Sequence, residues 1–161
     1  MKPMLKTRFV AVITTAILLL VLSSSCKKDK NPVVDQTKKV TVQLSGSQEV
    51  PSNNSTGTGT AQITFDPVSK IITYNMSWQL GSTTATTTNM HFHGAENGSD
   101  LISSGVVIGI TGFTTASSGT ISGSTRALTD VEVNQLLAGK WYLNIHSSTI
   151  QAGELRGNIK F

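Results

Sequence analysis

The chain has 161 residues, of which only 14% are charged, with 14 glycines, one cysteine and a formal net charge of +4. That length holds one ordinary domain plus a targeting segment but not two separate cores, and a single cysteine excludes an intrachain disulfide. Of the 13 Lys and Arg, Lys2, Lys6 and Arg8 fall at the very start; the remaining ten face nine Asp and Glu, which excludes the basic surface that nucleic acid requires.

The first eight residues are basic, Phe9 to Leu22 are apolar, and Ser23, Ser24 and Ser25 precede Cys26. A basic start, an apolar run too short to span a membrane comfortably, and small residues at its end make a secretory signal. The chain is expected to be exported. The place of Cys26 resembles the acylated cysteine of bacterial lipoproteins, with residues 1–25 as the signal peptide and the membrane as a partner through acyl chains. Each buried methylene of such a chain adds about 0.8 kcal/mol. Ser23 stands where such signals usually carry leucine, so ordinary cleavage near Cys26 stays open. Residues 26–38 are polar and without apolar periodicity, and read as a tether. Lys27, next after the cysteine, resembles the sorting position of a lipoprotein passed to the outer membrane of a Gram-negative cell, facing the periplasm or the exterior.

Residues 39–161 form the domain. Lys39 to Leu44 alternates and predicts a first strand. Glu49 lies in the loop that follows, either as a carboxylate capping backbone amides or as a group serving a polar sheet face. Gly59 to Phe65 and Lys70 to Leu80 predict a hairpin turning at Asp66 to Ser69. Ile72, Tyr74, Met76, Trp78 and Leu80 are in phase and mark a central strand. Asn89 to His93 puts Met90 and Phe92 on one face and His91 and His93 on the other. Gly105 to Ile110 is a further strand, and the Gly/Ser-rich Ser117 to Thr125 reads as a weak edge strand.

Thr129 followed by Glu132 fits a capping box, and Gly139 fits a helix stop. Val131, Leu136 and Leu137 of this short helix are expected to cover one end of the sheets. Trp141, Leu143 and Ile145 then alternate with Tyr142, Asn144 and His146. Leu155, Ile159 and Phe161 likewise alternate with Glu154, Arg156 and Asn158. Short strands with one short helix predict an all-β fold, an antiparallel two-sheet sandwich of Greek-key type.

Four segments carry a resemblance: Leu44 to Pro51, His91 to Gly94, Gly139 to His146 and Gly153 to Gly157. In that order they are similar to the signature segments of the chordin-type (CHRD) domain family, over about Val40 to Phe161. The resemblance implies an extracellular or exported domain, and it matches Glu49 to the family pattern.

All three histidines of the chain fall on predicted polar faces. A His-x-His pair with a third imidazole from another strand suits zinc or copper, and three protein ligands leave a position open for water or substrate. Glu154, Glu49, Asn144 and Tyr142 are candidates to orient the rings by hydrogen bonds. The opposing reading makes the histidines ordinary hydrogen-bonding residues and Glu154 with Arg156 a surface ion pair worth at most about 1 kcal/mol. The sequence therefore supports a membrane-anchored binding module for a protein or glycan, with a metal site at His91, His93 and His146. The alternatives are a mononuclear copper or zinc enzyme using those residues, and a structural component of the envelope.

Overall fold

The computed structural model describes residues 35–161; the expected signal peptide, Cys26 and the expected tether up to residue 34 lie outside the described residues. The alternating segments form eight strands: β1 (Lys38–Ser45), β2 (Thr58–Asp66), β3 (Ile71–Gln79), β4 (Thr87–Gly94), β5 (Val106–Gly109), β6 (Ser118–Ser124), β7 (Trp141–Ser147) and β8 (Leu155–Ile159). One helix, α1 (Asp130–Leu137), lies between β6 and β7. All strand pairs are antiparallel, and the order across the sheet is β5-β4-β7-β8-β1-β2-β3-β6.

Among the described residues the fold is all-β with one short α-helix, as expected, but the two-sheet sandwich is corrected to one curled sheet. The reason lies at β1 and β8, where a single pair, Ser45 with Arg156, carries the ladder across. Gly157 permits this approach, because a Cβ there would stand 2.4 Å from Val42 Cγ1 and 2.9 Å from the Gln43 carbonyl oxygen. Alternation assigns faces within a strand but cannot say whether two ladders join. The curl brings distant strands together: the Tyr74 ring of β3 lies 5.6 Å from Phe92 of β4.

The concave face holds one core, with Ile63, Phe65, Ile72, Met76, Met90, Phe92, Leu143 and Leu155 at most 1% exposed. Burying each such side chain contributes about 1.5–3 kcal/mol. Helix α1 closes one end with Leu136, which is buried, and Val133, which packs against the core. Val131 and Leu137 were expected there too, but both are exposed. The helix is only eight residues long, so its apolar stripe is narrow, and these two fall outside it. On the opposite face of β4, β7 and β8, the loops from 95 to 105 and from 49 to 53 cover side chains that a bare sheet would leave in water.

Candidate metal centre

Strand β4 places His91 and His93 on the convex face because Met90 and Phe92 occupy the concave one. Strand β7 presents Tyr142, Asn144 and His146 on the same face. The register sets His93 opposite Tyr142 and His91 opposite Asn144, with His146 one step further along and diagonal to His91. Diagonal neighbours in an antiparallel pair remain within reach of long and aromatic side chains. The three imidazoles accordingly converge: one ring nitrogen of each lies within 4.8 Å of the other two. The His91 ring centroid is 5.4 Å from that of His93 and 5.1 Å from that of His146.

Backbone carbonyls fix the tautomers of two rings. His93 Nδ1 is 2.9 Å from the Ser104 carbonyl oxygen, and His146 Nδ1 is 2.7 Å from that of Gln151. A carbonyl only accepts, so each Nδ1 carries the hydrogen and each neutral ring keeps its lone pair on Nε2. His146 Nε2 and His91 Nδ1 are buried without any hydrogen-bond partner, a state that costs about 1–3 kcal/mol per group. Burial holds the His91 imidazole below its ordinary value, helped by His146 and His93. Burial also holds His93 below its ordinary value, against the Ser104 and Asn144 oxygens, which favour the charged ring. Neutral imidazole is the form that ligates a metal.

The three histidines are placed so that they could hold a metal ion. Metal to nitrogen distances of about 2.0–2.1 Å in a tetrahedron separate neighbouring ligand atoms by about 3.4 Å. The present spread, up to 4.8 Å, is wider.

Of the residues expected to orient the rings, Tyr142 and Asn144 stand beside them, and Glu49 lies next to Asn144. Tyr142 stacks on His93 with centroids 4.6 Å apart and planes 3° from parallel, and its hydroxyl accepts a bond from the Ser104 amide at 3.1 Å. Asn144 is 3% exposed, with Oδ1 3.0 Å from His93 Nε2. Glu49 is buried next to Asn144: a methyl on Gly153 would meet Glu49 Oε1 at 2.5 Å and Asn144 Nδ2 at 3.0 Å. Burial pushes the Glu49 carboxyl up to about 7, against the Arg156 charge and the Asn144 amide.

Glu154 sits elsewhere. Its Oε1 accepts from Ser55 Oγ and the Gly81 amide, both at 2.7 Å, so it ties two loops together rather than bonding an imidazole. Burial would raise its carboxyl, but hydrogen bonds from Ser147, Ser55 and Gly81 outweigh that and hold it below the ordinary range.

Arg156 is the residue that sequence reasoning misplaced. It forms no surface pair with Glu154: it is completely buried. Its guanidinium lies 3.6 Å from the Tyr142 ring centroid and donates to the Ser99 and Ile102 carbonyls at 2.9 and 3.0 Å and to Asn158 Oδ1 at 3.0 Å. Arg156, Tyr142 and His93 thus form a stacked row behind the imidazoles. The one available signal was strand phase, since Arg156 shares a face with Asn144, its register partner on β7. The carbonyls of Ser104 and Gln151 left no signal, because any residue type supplies a carbonyl. The cleft of about 450 Å³ between β1, β2 and β3 is lined by none of these histidines and by no ionisable side chain.

The sequence model of the CHRD domain matches residues 40–159. No curated protein and no solved structure shows a match.

Proposed function

The chain belongs to the CHRD domain family, and from that premise we propose that it is an exported binding module whose convex face holds a zinc or copper ion at His91, His93 and His146. Acylated Cys26 tethers it to the membrane, on the outer membrane of a Gram-negative envelope, where the domain meets a protein or glycan ligand. Family membership supports the role of a binding module. The observation that carries the metal is the pair of buried, unpartnered ring nitrogens, His91 Nδ1 and His146 Nε2, within a converging trio. A cation shared by the three rings satisfies both and joins β4 to β7. The metal then adds stability in proportion to the logarithm of its concentration over its dissociation constant.

Metal analysis of the full chain, solubilised in detergent and produced without a histidine tag, tests this reading. The expected result is one zinc or copper per chain, absent from the H91A/H93A/H146A variant, with a higher melting temperature when the metal is present. No uptake of either ion after dialysis, with the fold unchanged, would falsify it. Replacing Cys26 by serine is expected to release the chain from the membrane fraction; retention there would remove the acyl anchor.

A further inference from the structure

We propose that Asn144 is the fourth ligand, its side-chain Oδ1 closing the coordination shell that the three histidines begin. The inference rests on the three-histidine reading above and narrows it, because three imidazoles alone leave a position open.

The contact between Asn144 and His93 points this way. His93 Nδ1 donates to the Ser104 carbonyl oxygen, so in the neutral ring Nε2 has no hydrogen to give. Asn144 Oδ1 nonetheless faces that Nε2 at 3.0 Å. Two lone pairs directed at each other across a buried gap repel, and a cation that both atoms coordinate removes the conflict. The distance also suits shared coordination, lying near the roughly 3.4 Å edge of a tetrahedron built with 2.0–2.1 Å bonds.

The other end of the amide faces a buried carboxyl. Asn144 Nδ2 and Glu49 Oε1 both lie beside Gly153, at 3.0 and 2.5 Å from where a Cβ would stand, and Oε1 has no other hydrogen-bond partner. An amide with its nitrogen toward a carboxyl group presents its oxygen to the imidazoles, so Glu49 is a positioning residue. Register agrees, since Asn144 lies directly opposite His91 and two residues from His146 on the same strand. Three imidazoles with one amide oxygen suit zinc or copper(II) and disfavour copper(I), which seeks soft sulfur ligands. A closed shell makes the ion a fixture of a binding surface rather than a centre that takes up water or substrate.

The amide turned over makes the opposite prediction. Nδ2 would then donate to His93 Nε2, occupy the lone pair and compete with the metal. The test is cobalt(II) absorption and zinc affinity in the full chain, solubilised in detergent, for wild type, N144A and N144D, with azide as the added ligand. The expected wild-type visible bands do not move with azide. N144A opens a position, so its bands respond to azide and its zinc affinity falls roughly tenfold or more. N144D keeps an oxygen in place, so its bands shift from wild type yet stay insensitive to azide, a readout that survives if N144A does not fold. Wild-type bands that respond to azide overturn the proposal, as do bands unmoved in both variants or zinc affinity that rises in N144A. Uptake of none of zinc, cobalt and copper by wild type overturns the three-histidine reading and this one together. Normal uptake with any of the preceding results overturns this one alone.

Discussion

A guanidinium sealed from water costs several kcal/mol unless its donors are met, and Arg156 meets that demand with two loop carbonyls, Asn158 and the face of Tyr142. The arrangement serves the site in two ways. It pins the segment Ser99 to Ser104, whose last carbonyl sets the His93 tautomer, and it backs the ring on which His93 is stacked. Arg156→Ala is expected to destabilise the domain by about 3 kcal/mol or more, since two carbonyls lose their donor and each orphaned group costs about 1–3 kcal/mol. Denaturant unfolding measures the loss. Hydrogen exchange should show faster amide exchange over residues 99 to 104, and a change confined to β8 would argue against the pinning. The outward placement of His91, His93 and His146 was legible from alternation, because side-chain direction along a strand is local geometry. The burial of Arg156 was not, because the loop that covers it arrives from more than 50 residues away.

The helix shows how far local rules reach. Thr129 and Glu132 form the reciprocal capping box anticipated from their spacing. Gly139, at φ +70°, ends α1 with paired bonds from Gly139 N to the Leu136 oxygen and from Lys140 N to the Gln135 oxygen, both 3.0 Å, the arrangement that satisfies the last helical carbonyls. Strand β6 takes the edge position that its glycines and serines suggested. The seam between β1 and β8 obeys no such rule. It depends on Gly157 being bare, and Gly157→Ala is expected to cost about 1–3 kcal/mol by overpacking, read as a lower denaturation midpoint. A neutral result would mean that the strands can separate at the seam without penalty. Glycine in a strand is readable as a place of close approach, but not which strand approaches.

Across the whole molecule, one continuous curled sheet allows a core on one face and a covered polar layer on the other. That second layer makes stability depend on pH. Glu49 ordinarily loses its proton near 4.5 but holds it to about 7 when folded. Between those values the native chain binds more protons than the unfolded one, so this contribution to stability falls as pH rises from about 4.5 to 7. Above 7 it is lower by about 3 kcal/mol. His91 and His93 act oppositely, since their depressed values make the native state lose stability as pH falls below about 6.5. Comparison with Glu49→Gln isolates the carboxyl: wild type is expected to lose stability relative to this variant between pH 5 and pH 8, measured by denaturant unfolding. A constant difference would show that the carboxyl ionises normally in the fold.

The amino-acid order alone determined the strand positions, the face each side chain takes and the helix ends, because these follow from a period of two and from contacts within a few residues. Only the tertiary structure decided that there is one sheet rather than two, that loops roof its convex face, and which atoms meet the imidazole nitrogens. Those outcomes rest on a one-pair seam and on carbonyls, amides and a buried carboxyl brought together from distant parts of the chain.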